Sequence, residues 1–187
     1  MMKVKMLSLQ GKLSNLALMK LSAYHKSIGD VVSTDEPEPD IVYISSPFKS
    51  ANKHIDYSFM FPGAKIEYGG YGFNNKILPY EIEHIMPDYS LFDCKYSMGY
   101  TTRGCIRSCY FCIVPEMEGK IKKASHPSEF WNPAHNTIMF LDNNWLALPK
   151  WFDETSQWVL DHDLTLMEHG MDIRLVTEKN IDRIRAL

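Results

Sequence analysis

The strongest constraint on the fold of this chain is an alternation of short strand-like runs with helical patterns. A strand is predicted at 3–9 (KVKMLSL). After it, residues recur at the spacing of one helix face, at Leu18, Leu21, His25 and Ile28. Asn15 is the predicted N-cap of this helix, and Gly29 is its C-terminal glycine. Further strand-like runs, DVVST, DIVYISS and AKIEY, predict a small parallel-sheet α/β domain that ends near residue 90.

The second half of the chain repeats the alternation. YSMGYTT, NTIMFL and LTLMEHG are predicted strands, and helical patterns follow the last two, so we count three β/α repeats. The last helix is predicted to begin at Thr177, with Asn180 completing its cap. In a (β/α) barrel the chemistry lies at the carboxyl ends of the strands. A cysteine-rich loop and the segments DNN and HGMDIR all follow such ends.

Composition excludes several classes of protein. The 187 residues include 20 basic and 23 acidic side chains, a formal net charge of −3, which lacks the positive field of most nucleic-acid binders. No apolar run reaches the roughly 18 to 20 residues that span a bilayer, and the N-terminus lacks a signal-peptide core. We therefore expect a cytoplasmic protein with neither a membrane nor a nucleic-acid partner.

Three of the four cysteines lie within eight residues, in the pattern C-x3-C-x2-C: Cys105, Cys109 and Cys112. In a reducing compartment, clustered thiols usually bind a metal or act in catalysis. Structural zinc sites usually present C-x2-C pairs, so the spacing favours an iron–sulfur cluster over zinc or free thiols. In the zinc alternative, His84 or His126 would be the fourth ligand. Cys94 stands apart and is expected to pack as a small buried hydrophobe.

The loop that carries these cysteines, TTRGCIRSCYFCIVPEMEGKI, resembles the cluster-binding loop of the radical S-adenosylmethionine (radical SAM) superfamily. Phe111 stands directly before the last cysteine, and the loop follows the first strand of the second half. The later segments FLDNN and HGMDIRLVT are similar in order to those of members with a cobalamin-binding-like domain ahead of the barrel. The resemblance implies an α/β fold with a flavodoxin/Rossmann-like, cobalamin-binding-like domain at 1–92 and the N-terminal half of a radical SAM (β/α) barrel at 93–187.

The resemblance also implies the chemistry. Three thiolates leave one iron of a [4Fe-4S] cluster open, and in this superfamily the amino and carboxylate groups of S-adenosylmethionine bind there. An electron from a donor such as flavodoxin or ferredoxin then breaks the sulfonium C–S bond, releasing methionine and a 5′-deoxyadenosyl radical. The expected function is that of a radical SAM enzyme, or enzyme half, whose substrate and catalytic residues the sequence does not identify.

By the same resemblance, six residues are expected to contact S-adenosylmethionine: Phe111, Asp142, Asn143, Asn144, Asp172 and Arg174. Phe111 would lie beside the adenine, and the LDNN segment would lie near the methionine amino group. Each residue also has a structural alternative. Phe111 could fill core space, LDNN is a typical polar turn after a strand, and Asp172 with Arg174 could form a salt bridge.

Two features of cobalamin-binding radical SAM proteins are missing from this sequence: the histidine motif and the later β/α units. Cobalamin with a histidine ligand requires D-x-H-x-x-G after the first strand, where QGKLSN stands, so a cobalamin cofactor is not expected. A vestigial or differently used domain is the preferred interpretation, and cobalamin bound without a histidine ligand is the alternative. A full radical SAM barrel has more than three β/α units, so we expect a fragment, a truncated product, or a chain that a second chain completes. The competing hypothesis is a non-catalytic metal-binding module, with zinc or an iron–sulfur cluster, that does not turn over S-adenosylmethionine.

Overall fold

The computed structural model describes residues 1–9, 13–48, 56–74, 76–168 and 170–187. These residues form two compact units, Met1–Cys94 and Lys95–Leu187. Each unit contains a parallel sheet together with helices, so the predicted α/β class is confirmed. Within the described ranges, no helix combines the length and the apolar character that crossing a membrane requires.

The first unit is built on a four-stranded parallel sheet. Its strands are β1 (Lys3–Ser8), β2 (Val31–Ser33), β3 (Ile41–Ser45) and β4 (Lys65–Gly69). They pair in the order β2-β1-β3-β4, so β1 and β3 lie at the centre. The four strand-like runs predicted from the sequence all lie in this sheet.

Helix α1 (Leu16–Ser27) follows β1 and has the caps that the sequence predicts. The side-chain oxygen of Asn15 accepts a hydrogen bond from the Leu18 N–H over 3.1 Å, which satisfies one of the unpaired donors of the first turn. Gly29 follows the helix with a φ of +87°, a conformation that glycine adopts without strain. Residues 10–12 (QGK), between β1 and α1, lie outside the described residues.

Two apolar clusters cover the two faces of this sheet. Because successive side chains of a strand point to opposite faces, Val42 and Ile44 of β3 face away from Ile41 and Tyr43. One cluster contains Val4, Met6, Leu18, Leu21 and Ile82, the last from helix α2 (Tyr80–Glu83). The other contains Val42, Ile44 and Tyr57. Cys94 is buried at the end of this unit, as expected.

The second unit contains a three-stranded parallel sheet with the cysteine-rich loop at one end. In chain order its elements are β5 (Ser97–Gly99), β6 (Thr102–Arg103), α3 (Val114–Met117), β7 (Lys122–Lys123), β8 (Thr137–Phe140), α4 (Pro149–Asp161), β9 (Thr165–Glu168) and α5 (Ile181–Ala186). The parallel sheet has the order β5-β8-β9, while β6 and β7 pair antiparallel and close the base of the loop.

The core of the second unit is aromatic. Its buried members are Phe130, Ile138, Phe140, Trp145, Leu146, Phe152 and Val159. Phe130 packs directly over Gly99 of β5, where a Cβ atom would lie 2.5 Å from the Phe130 ring. The space that glycine leaves is therefore filled by the ring.

The prediction that the last helix begins at Thr177 is wrong. Helix α5 begins at Ile181, with Asn180 as its N-cap residue. The Asn180 side chain accepts a hydrogen bond from the Thr177 N–H over 2.7 Å, and the Ile181 N–H donates to the Thr177 carbonyl over 3.0 Å. The polar pair therefore forms the turn that leads into the helix and makes one of the two predicted capping bonds.

Candidate functional site

The polar segments after β5, β8 and β9 meet at one edge of the three-stranded sheet. The three strands are parallel, so their carboxyl ends lie at the same edge. Hydrogen bonds then join the cysteine loop to the segments that follow β8 and β9. Asp142, Asn144 and Asp172 are thus brought to the cysteine loop, where they contact other protein groups.

Asp142 fastens the start of the cysteine loop to the end of β8. Its carboxylate, which is 2% exposed, accepts hydrogen bonds from the N–H groups of Thr101 at 2.7 Å and Thr102 at 3.0 Å. The hydroxyls of the same threonines donate at 2.5 and 2.8 Å. Burial raises the pKa of Asp142, while these four bonds act in the opposite direction. Because its oxygens already accept four bonds from the protein, Asp142 acts here as a structural anchor.

Glu118 holds the two ends of the cysteine loop together. One carboxylate oxygen pairs with Arg103 Nη1 at 3.1 Å, and the other accepts from the Gly104 N–H at 2.8 Å and from Asn143 Nδ2 at 2.7 Å. The Cys105 N–H also donates to the Gly119 carbonyl over 3.3 Å. Sequence reasoning missed Glu118, although its position between the last cysteine and Gly119 was visible.

Asn144 lies between the cysteine loop and the segment after β9. Its Nδ2 donates to Cys105 Sγ over 3.5 Å, and its Oδ1 accepts from the Asp172 N–H over 3.3 Å. The backbone N–H of Arg107 donates to the same sulfur over 3.3 Å. Cys105 therefore receives two N–H donors, one from its own loop and one from the segment after β8.

Asp172 binds two arginines at the same edge. Arg107 Nε lies 2.8 Å from one of its oxygens, and Arg174 contacts both oxygens, at 2.7 and 3.1 Å. Hydrogen bonds from Arg174 and then Arg107 hold the pKa of Asp172 well below its usual range. The pKa of Arg174 is raised, first by Asp172 and further by the charge of Cys109. The salt bridge considered from the sequence is therefore present.

The tip of the cysteine loop is open to solvent. Cys105, Cys109 and Cys112 are partly exposed free thiols. Tyr110 is 99% exposed and Phe111 is 77% exposed, and their rings contact each other edge to face at 5.1 Å between centroids. The alternative that Phe111 fills core space is therefore wrong.

A cavity of about 290 Å³ lies beside Cys105, and it is open on one side. Its lining residues are Cys105, Ile106, Ser108, Lys120 and Ile121. A space of this size next to a thiol can receive a small group, although nothing in its lining selects one chemistry.

The donor set fits a cluster by its chemistry, although the thiols are not gathered in one metal-binding arrangement. Across 1–9, 13–48, 56–74, 76–168 and 170–187, no three Cys, His, Asp or Glu side chains form a group that could hold a metal ion. Cys105 receives N–H donors from Arg107 and Asn144, and three cysteines in one loop are a donor set that an iron–sulfur cluster takes.

The histidines considered as a fourth zinc ligand contact other side chains. His126 hydrogen-bonds Ser128 over 2.7 Å, and its ring lies against Trp151 and Trp158. His84 lies in the first unit, against the ring of Tyr80. Neither belongs to a metal-binding group among the described residues.

His25 of helix α1 is also engaged within the first unit. Its ring nitrogens lie 2.8 Å from Asp30 and 3.1 Å from Tyr43, and the residue is 3% exposed. In this position it is a core histidine with two partners. The segment QGKLSN, which has no histidine at the position that would ligate cobalamin, is described only from Leu13 onwards.

Comparison with known proteins identifies no family for this chain. No protein-family model matches the chain, and no curated protein matches it.

Proposed function

We propose that this chain binds a [4Fe-4S] cluster through Cys105, Cys109 and Cys112 and acts as a radical SAM enzyme or as part of one. The observation that carries the proposal is the placement of the three-cysteine loop at the carboxyl edge of a parallel sheet. There the loop meets side chains from the other two strand ends, namely Asn144 at Cys105 and Asp172 at Arg107. Carboxyl ends of parallel strands are where α/β proteins assemble such sites.

When bound, the cluster would supply the electron that cleaves the sulfonium C–S bond of S-adenosylmethionine, giving methionine and a 5′-deoxyadenosyl radical. The chain's own residues have other tasks. The three thiolates would hold the cluster, and Arg107 and Arg174 would offset part of its negative charge. Asp142 and Glu118 hold the loop in position through bonds to its two ends.

The proposed S-adenosylmethionine contacts fall into two groups. Phe111 is exposed at the loop tip, where its ring can lie against an adenine. Asn143, Asp172 and Arg174 lie at the sheet edge with polar atoms already bound to protein partners, so they would have to exchange a partner for the cosubstrate. Asp142 and Asn144, whose polar atoms contact the loop and the segment after β9, are proposed to position their neighbours.

The proposed activity requires an electron donor and further strands of the barrel. A flavodoxin or ferredoxin in a reducing cytoplasm would deliver the electron. A parallel sheet of three strands, β5-β8-β9, has two edges, and unpaired strand edges favour pairing with further strands. We propose that a second chain, or another part of a longer one, supplies those strands and completes the barrel.

Anaerobic reconstitution tests the cluster. The wild-type chain and the Cys109→Ala and Cys94→Ala variants are incubated with iron and sulfide, and bound iron, sulfide and zinc are measured together with the visible and EPR spectra. We expect four irons per chain for the wild type and for C94A, which removes a buried thiol of the first unit, and a loss of cluster for C109A. A full zinc load without sulfide would favour the non-catalytic module.

Reductive cleavage tests the enzyme. The loaded samples are incubated with S-adenosylmethionine and dithionite, and 5′-deoxyadenosine is measured by mass spectrometry. The wild type and C94A should form it, and C109A should not. A fully loaded wild type that forms none would refute turnover by this chain alone and leave the cluster-binding module.

A further inference from the structure

The sulfur of Cys105 differs from the other two thiols in having a side-chain amide fixed against it. Asn144 Nδ2 lies 3.5 Å from Cys105 Sγ, and Asn144 is 1% exposed. A buried amide must find partners for both of its ends, because an unpaired one is costly. Here the partners are a sulfur and a backbone N–H.

The orientation of this amide follows from its second partner. The Asp172 N–H lies 3.3 Å from Asn144 Oδ1. A backbone N–H can only donate, so the amide oxygen must face it and the NH₂ group must face the sulfur. The sulfur is therefore an acceptor, whichever way the amide would otherwise be assigned.

The backbone around Asn144 is held as firmly as its side chain. The Trp145 N–H donates to the Gly170 carbonyl over 3.1 Å. Gly170 in turn packs so closely that a Cβ there would lie 2.7 Å from the carbonyl oxygens of Asp142 and Asn143. These contacts restrain the backbone that carries the amide donor.

We propose that Asn144 is a positioning residue that raises the reduction potential of the cluster through its hydrogen bond to Cys105. The inference rests on the proposed function and replaces the expected cosubstrate contact of Asn144 with a contact to sulfur. Reduction adds an electron and makes the cysteinyl sulfurs more negative, so an N–H donor stabilises the reduced form more than the oxidised form. Hydrogen bonds to sulfur are among the factors that set cluster potentials.

Two substitutions remove the donor in different ways. Asn144→Asp replaces NH₂ by oxygen and keeps an acceptor for the Asp172 N–H, while Asn144→Leu removes the donor without adding charge. The reconstituted variants, with Cys94→Ala as control, are titrated with reductant without S-adenosylmethionine, and the EPR signal of the reduced cluster is followed. We expect a shift to more negative potential in both Asn144 variants, larger in N144D, and no shift in C94A.

Electron–nuclear double resonance gives a second readout. One proton coupling that exchanges in deuterium oxide should be present in the wild type and absent from N144D, an effect that added charge alone does not produce. Should N144L fail to fold, N144D carries the test through this coupling. Potentials and couplings equal to those of the wild type would overturn the inference and leave cluster binding intact. A wild type that takes up no cluster would overturn both.

Discussion

The side-chain amide of Asn143 donates to Glu118 over 2.7 Å, which fastens the segment after β8 to the end of the cysteine loop. The same carboxylate receives Arg103 and the Gly104 N–H from the start of the loop. One carboxylate thus holds three pieces of chain at the edge of the sheet. Glu118 lies outside the cysteine motif, and its place between Cys112 and Gly119 is the one signal in the sequence that could have indicated it.

Replacing Glu118 by alanine should loosen the cysteine loop. The change removes the shared acceptor of three donors, and we expect a loss of about 2 kcal/mol in the free energy of unfolding. Urea denaturation measures this loss, and iron retained after desalting measures its effect on the site. Glu116→Ala, an exposed change in helix α3 of the same loop, is the control and should change stability by less than about 0.5 kcal/mol. Equal behaviour of the two variants would contradict the assignment.

Replacing Asp142 by alanine should be among the most destabilising changes in the second unit. The Thr101 and Thr102 N–H groups would be buried without their acceptor, at a cost of about 3 kcal/mol. Asp142→Asn should cost less, because its one amide oxygen still accepts from one of the two backbone N–H groups, while its NH₂ group faces the other. Thermal unfolding of both variants gives the comparison, with the exposed Asp153→Ala as control. An alanine variant as stable as the control would show that the anchor is unimportant.

Replacing Gly170 by alanine should strain the contact between the segments that follow β8 and β9. The new methyl group would lie 2.7 Å from two carbonyl oxygens, so the segments after β8 and β9 must move apart. Overpacking of this kind typically costs about 1–3 kcal/mol. Gly69→Ala is the matched control, since a Cβ there would meet nothing within 4 Å. Chemical denaturation should separate the two variants, and a G170A protein as stable as G69A would contradict the close packing.

The first unit should lose stability in acid through Asp30. Hydrogen bonds from His25 and from the Met2 N–H lower the pKa of Asp30 below its ordinary value of 3.8. A carboxyl whose folded pKa is depressed stabilises the protein above the unfolded pKa, and this contribution is lost as pH falls through the folded value. Urea midpoints measured from about pH 6 to about pH 2 should therefore fall less steeply in Asp30→Asn than in the wild type. Equal slopes would mean that Asp30 is not the group that titrates.

The parts of the fold that could be predicted are those that depend on local signals. Asn15 and Gly29 bound helix α1 because a cap needs only a polar side chain and a glycine a few residues away. The strands could be predicted because their β-branched or apolar runs are also local signals in the sequence. Thr177 and Asn180 misled because the same two residue types also close a turn.

The candidate site could be predicted in its location but not in its contacts. Parallel strands bring DNN and HGMDIR to the cysteine loop, and that follows from topology alone. The partners of Asp142 lie about forty residues away along the chain, and no spacing rule connects them. Asn144 could not be assigned to Cys105 because an asparagine after a strand serves equally well as a turn residue, a cosubstrate ligand or a sulfur donor.

The ring of Phe130 over Gly99 limits which residues can occupy positions 99 and 130 together. A larger residue cannot enter position 99 while the aromatic ring remains, because the methyl group of alanine would already overlap the ring. A descendant of this chain could change position 99 only after position 130 had become smaller. Related sequences should therefore show the two sites varying together, even though they are separated by the whole cysteine loop.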